Sequence, residues 1–147
     1  MLAWRRCNAG DFYVTRHSNL AECHVVFHLV GDAEAANKDM STRSQVIVGL
    51  RNVFRCAFNS EVNHLTLPLL MVHQLTEEMD DRWCLRRAEL VLKCIKGFVM
   101  ENSVGYKTEA KTVQFLVPEE TSWQMFDAYS NLFSNIFRLA SAMSFQS

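Results

Sequence analysis

The run Asn63-His-Leu-Thr-Leu-Pro-Leu-Leu-Met-Val-His73 is apolar on both sides of an extended chain. Leu65, Leu67, Leu69 and Met71 fall on one face, and Leu70 and Val72 on the other. Successive side chains of a strand point to opposite faces, so a run that is apolar on both predicts the buried middle of a parallel sheet covered by helices. Pro68 qualifies this reading: without an N–H it removes a ladder hydrogen bond, and it predicts a bulge or a gap in the pairing.

Helical patterns flank the run. Upstream, Val46, Ile47, Leu50, Val53, Phe54, Ala57 and Phe58 form one wide apolar stripe of the kind that lies on a sheet. Thr42 and Gln45 have the spacing of a capping box at its start. Downstream, a helix is expected from about Asp80 to Asn102, with Trp83, Cys84, Ala88, Val91, Leu92, Ile95, Phe98 and Val99 on its apolar face. Farther out, the run from Glu22 to Gly31 alternates as a strand, with Cys23, Val25, Phe27 and Leu29 facing one way and His24, Val26, His28 and Val30 the other. Asp11–Thr15 reads as a short edge strand, and Lys111–Val117 as a strand stopped by Pro118. Glu119 to about Ala140 reads as a final helix with two acids in its first turn. Trp123, Phe126, Phe133 and Phe137 are its expected core aromatics, with Met125, Leu132 and Ile136 widening the stripe. The order is β-α-β-α-β-α, which predicts a three-layer α/β domain with a mostly parallel sheet.

The chain has 147 residues, enough for one domain burying roughly two-thirds of its unfolded surface. Residues 22–140 are expected to form that domain, with 1–21 an N-terminal extension or edge strand of a truncated unit and 141–147 a frayed tail. Hydrophobic residues at 49% and charged residues at 21% describe a globular chain. The net charge of −1 excludes strong non-specific attraction to nucleic acid or anionic membrane, so RNA contact would be weak, indirect or confined to a local basic patch. The cysteines, Cys7, Cys23, Cys56, Cys84 and Cys94, are odd in number and form no C-x-x-C pair, which predicts reduced thiols in a cytoplasmic protein. No apolar run approaches the ~20 residues of a membrane span, so no membrane insertion is expected.

In an open parallel sheet, ligands bind where loops leave the carboxyl ends of strands. Here that loop is His73–Asp81, and its candidate ligand or partner residues are His73, Gln74, Thr76, Glu77 and Glu78. A histidine beside carboxylates can do acid–base work or hold a metal. In the plainer reading, which is favoured, Asp80 caps the following helix and its acidic neighbours favour the positive helix end. Arg82, Arg86, Arg87, Lys93 and Lys96 line the polar side of that helix. Of these, Arg82, Arg86 and Lys93 are the candidate basic surface for a protein partner or RNA. Arg43, Arg51 and Arg55 read as solvated surface, and His24 and His28 as sheet histidines. On a strand, positions four apart lie roughly 13 Å apart, too far to share one ion. No catalytic residue, metal site or cofactor is expected.

Segments of the chain resemble the C-terminal half of a macro domain: Val26-Phe-His-Leu-Val-Gly-Asp32, the Leu-Pro strand, the run ending Lys96-Gly-Phe98, and Val113-Gln-Phe-Leu-Val117. A second resemblance rests on Leu65-Thr-Leu-Pro-Leu-Leu70, the helix from Trp83-Cys to Lys96-Gly-Phe98, and Lys111-Thr-Val-Gln-Phe-Leu-Val-Pro118. On these the chain resembles the family of the fourth subunit of the FERRY complex. That resemblance implies a non-catalytic, macro-like interaction domain with protein partners inside a multi-subunit assembly, which binds an early-endosomal Rab GTPase and carries messenger RNA. The alternative, which the macro-domain resemblance implies, is a macro domain that binds ADP-ribose or a nucleotide, with or without hydrolase activity, His73 and Glu77 or Glu78 then being its acid–base groups. Such domains carry a Gly-rich loop after the Leu-Pro strand, because backbone N–H groups must approach the diphosphate closely. His73–Met79 contains no glycine, and its acids repel phosphate.

Overall fold

The computed structural model describes residues 6–16, 23–36, 40–102 and 110–138. The tail 141–147, most of the loop expected at 103–110 and part of the 1–21 extension lie outside those residues. The element order is β1 (Phe12–Arg16), β2 (Val25–Leu29), α1 (Ala33–Ala36), α2 (Gln45–Asn59), β3 (His64–Pro68), α3 (Asp81–Asn102), β4 (Thr112–Leu116) and α4 (Trp123–Ile136). The protein is thus mixed α/β, and from β2 onward strands alternate with the three long helices as the hydrophobic periods predict.

The pairing departs from a single parallel sheet. β3 and β4 pair in parallel, with Leu67 opposite Phe115, whereas β2 pairs antiparallel with β1, placing His28 opposite Tyr13. Among the described residues these are separate two-stranded sheets. The run at 63–73 is also not a strand with two buried faces. β3 stops at Pro68, Leu69 still donates its N–H to the Leu116 carbonyl (2.8 Å), and Met71, at φ 56°, turns the chain away. Leu69 and Leu70 are both buried because a turn delivers them to one core. On β3 and β4 themselves, Leu65, Leu67, Val113 and Phe115 face the helices, while His64, Thr66, Pro68, Thr112, Gln114 and Leu116 are exposed. The described helices therefore cover one face of this pair, and the third layer expected on its other face is not formed among the described residues.

The core is continuous along α3. Leu50 and Phe54 of α2 meet Leu67 of β3 and Val91 and Ile95 of α3, and Phe54 has 0% exposure. On the other side of α3, Cys84, Ala88 and Leu92 meet Leu69, Leu70 and Tyr129 of α4. α3 thus separates α2 from α4. At the surface, Arg51 donates twice to Glu101 (2.6 and 3.0 Å) and Arg55 adds a longer bond (3.3 Å), tying α2 to α3. These bonds hold the Arg51 guanidinium above, and the Glu101 carboxyl below, their ordinary values. Arg51 and Arg55, read as solvated surface, are exposed and also pair with Glu101.

The β1–β2 hairpin seats on α2 through two glycines. A Cβ on Gly49 would stand 2.3 Å from the Gly10 carbonyl oxygen and 2.7 Å from the Leu29 side chain, and Gly10 itself adopts φ +91°. Gly49→Ala should accordingly lower the unfolding free energy by about 1–3 kcal/mol, because backbone cannot move aside as a flexible side chain can. Urea unfolding of the variant against the parent checks this, and an exposed helix position such as Asn52→Ala provides the reference.

Two helix starts differ from the pattern. α2 begins at Gln45 with Ser44 as its N-cap, and the Ser44 hydroxyl accepts from Ser41 N–H (2.9 Å), so the Thr42–Gln45 capping box is not formed. α4 begins at Trp123, capped by Ser122, whose hydroxyl accepts from Met125 N–H (3.1 Å). Glu119 and Glu120 sit in the preceding turn, because Thr121 N–H returns to the Pro118 carbonyl (3.0 Å) and delays the helix.

Candidate functional site

The loop that leaves β3 is exposed at His73, Gln74, Thr76, Glu77 and Glu78, and anchored at Leu75 and Met79, which point into the protein. Met79 N–H bonds to the Thr76 carbonyl (3.0 Å), closing a turn that carries Glu77 and Glu78 outward. Among the described residues, no hydrogen bond or ion pair joins His73 to Glu77 or Glu78, and no group of three or more potential metal ligands converges. The loop displays its polar groups separately. Such a display suits contact with another surface more than enclosure of a small reactant.

Asp80 ends the loop as expected of a cap. Its carboxylate accepts from Trp83 N–H (2.8 Å) and its carbonyl from Cys84 N–H (2.9 Å), starting α3. Arg82 and Arg86 are then exposed one turn apart, beside the acidic loop. Lys93 is exposed as well but held by Glu89 at 2.5 Å, an i,i+4 pair. Lys96 turns inward and donates to the Ile136 carbonyl at the end of α4 (2.7 Å).

Arg87 does not belong to the basic surface. It is 4% exposed, donates to the carbonyls of Ala35 (2.7 Å) and Leu70 (3.1 Å), and lies over the Trp83 ring at 4.5 Å. Burial pushes its pKa below the usual arginine value. The guanidinium supplies donors where the chain leaves β3 in a turn and the Leu70 carbonyl has left the ladder. The helical period contained the signal: Arg87 follows Cys84 by three and precedes Val91 by four, so it falls on the buried stripe.

Tyr129 was likewise missed. It is the buried residue of α4, beside Cys84; burial first, then the neighbouring Cys84, raises its hydroxyl pKa, and burial raises that of the Cys84 thiol. The inward stripe of α4 is Met125, Tyr129, Leu132 and Ile136. The expected core aromatics lie elsewhere: Trp123 is 84% exposed, Phe126 46% and Phe133 42%. Only Phe137 of that set packs on the core cluster. Between α4 and the end of β4 opens a groove of about 230 Å³, lined by Phe115, Val117, Phe126, Tyr129 and Phe133, with Ser130 at its rim.

On the hairpin, His28 stacks on Tyr13 (4.5 Å, 5° between rings) and shares a hydrogen bond with Thr15 (2.9 Å). His24 lies just outside β2 and is exposed. Among the described residues, no helix is long and apolar enough to cross a membrane.

Residues 3–143 match the family model described as Ferry endosomal RAB5 effector complex subunit 3. Over 138 residues the chain is 46% identical to FERRY endosomal RAB5 effector complex subunit 3 of Rattus norvegicus, Mus musculus and Homo sapiens, covering 94% of this chain and 25% of each relative. The chain thus spans about a quarter of the length of the curated relatives it matches. These matches are to subunit 3, where the motif resemblance pointed to the fourth subunit. No solved structure matches the chain.

Proposed function

Because the chain belongs to the family of FERRY endosomal RAB5 effector complex subunit 3, we propose that it is a non-catalytic interaction domain working inside a multi-subunit assembly. The assembly would hold it at the cytoplasmic side of early endosomes. The match across residues 3–143 carries this reading. The display of separate polar groups at 73–78 supports it, because a surface that meets another protein needs contact points more than a closed reaction chamber.

In this reading the partner surface combines the loop residues His73, Gln74, Thr76, Glu77 and Glu78 with Arg82 and Arg86, which the Asp80 cap holds directly alongside. Lys93 contributes less, since Glu89 already neutralises it. Messenger RNA would be reached through the assembly: the chain's net charge of −1 leaves little general attraction for a polyanion. Residues 22–140 act as one unit, and its macro-like character rests on the parallel β3–α3–β4 arrangement.

Reversing Arg82, Arg86 and Lys93 to Glu should weaken capture of the other subunits of a FERRY-type complex by at least about tenfold, the equivalent of ~1.4 kcal/mol. The three side chains are exposed, so the melting temperature should stay near that of the parent. Undiminished capture by a folded variant would remove this face from the interface.

A further inference from the structure

The helices and strands do not match in number along the β3–β4 pair. α2 and α3 lie beneath the pair, with Leu50, Phe54, Val91 and Ile95 under Leu67 and its neighbours. α4 packs on the side of α3 away from α2, its Phe133 ring meets that of Phe115 on β4 at 6.2 Å, and β4 is an edge strand of the described pair. At that edge three observations coincide. β4 pairs only with β3 among the described residues, so its other backbone edge has no described strand partner. Leu116 is 51% exposed, and Trp123, Phe126 and Phe133 present an apolar face. The groove between Phe115, Val117 and Phe133 joins the two. A row of backbone donors and acceptors beside an apolar helix face is completed by a strand that brings its own helix beneath it.

We propose that the occupant is a second copy of this chain, paired β4 to β4 and α4 to α4 across a two-fold axis. Charge identifies the copy. Glu119 and Glu120 stand in the turn that leads into α4, whereas Arg138 stands just beyond its end and Lys96 donates to the Ile136 carbonyl there. The chain returns from β4 into α4, and Phe133 meets the Phe115 ring at 6.2 Å. An antiparallel β4–β4 pairing therefore also sets the helices antiparallel. The acidic turn before each α4 then lies beside the basic end of the other, and helix ends of opposite dipole meet. Thr112 of one copy comes opposite Leu116 of the other when the axis passes near Gln114. The interface is self-complementary, as a two-fold contact must be, and it buries Trp123, Phe126 and Phe133 of both copies. The dimer contact uses none of Arg82, Arg86 or the 73–78 residues, so substitutions at Phe126, Phe133 and Arg138 test it apart from the proposed partner surface.

Sedimentation velocity of the whole chain at micromolar concentration tests it. The parent should run as a dimer, and Phe126→Glu with Phe133→Glu should run as a folded monomer, since both residues are already partly in solvent. Arg138→Glu should weaken the dimer at least tenfold at low salt, and Glu119→Arg with Glu120→Arg in the same chain should restore it. Restoration would separate pairing of copies from a general change in folding or solubility. A monomeric parent would overturn the proposal and assign this face to a different polypeptide. So would a dimer whose dissociation constant is unmoved by the Phe126 and Phe133 substitutions.

Discussion

Phe54→Ala should lower the unfolding free energy by about 3–5 kcal/mol, the range for truncating a fully buried aromatic side chain. Phe54 has no exposed surface, and its ring contacts those of Phe58 (5.7 Å) and Phe98 (6.0 Å). It also belongs to the cluster in which α2, β3 and α3 meet. The vacated space is bounded by three elements whose backbones are fixed by their own hydrogen bonds, so the site cannot collapse cheaply. Phe54→Leu keeps most of the volume and should cost less than half as much. Equilibrium unfolding in urea distinguishes the two, and equal losses would show that the core relaxes around position 54.

Arg87→Ala should cost about 2–4 kcal/mol, because two carbonyl acceptors each lose a donor worth roughly 1–3 kcal/mol when the acceptor is left buried. The partners are Ala35 in α1 and Leu70 in the turn after β3, so the residue links three parts of the chain. Stacking on Trp83 adds packing that alanine cannot replace. Offsetting this, the substitution relieves the cost of keeping a cation largely out of water. Arg87→Lys retains the charge but has no planar fork to span both carbonyls and cover the indole, so it should recover only part of the loss. Hydrogen exchange should show the turn at 69–72 opening in Arg87→Ala before the rest of the protein does. Global unfolding with no preferential opening there would remove Arg87 from its role as the turn's anchor.

These residues show where local pattern was informative. The stripes Val46-Ile47-Leu50-Val53-Phe54-Ala57 and Cys84-Ala88-Val91-Leu92-Ile95 identify α2 and α3, since a buried helix face must repeat at 3.6 residues. Asp80 was legible as a cap because one short carboxylate before an apolar period has a defined backbone partner. For α4 the period was visible, but two stripes compete on it. Trp123, Phe126 and Phe133 are larger, yet Met125, Tyr129, Leu132 and Ile136 face inward, because α3 approaches from that side. Residue size does not say from which direction a neighbour comes.

The candidate site divides in the same way. His73, Gln74, Thr76, Glu77 and Glu78 were readable as an exposed polar loop after an apolar strand, which is where the structure places them. Their failure to converge was not readable, since convergence depends on the turn closed between Thr76 and Met79. Arg87 looked like its basic neighbours until its helix phase was combined with the Leu70 carbonyl that β3 leaves behind.

Legible in the residue order alone were the alternation of strands with long helices, their approximate limits, the family, and which helix faces are apolar. Each follows from interactions within a few residues, or from similarity along the chain. Long-range packing set the pairing of β2 with β1, the turn of the 63–73 run at Pro68–Met71, and the outward face of Trp123, Phe126 and Phe133 on α4 while Tyr129 turns inward. Strand partners and helix approach depend on contacts between residues far apart in the chain, and the same local hydrophobic pattern is compatible with several such arrangements.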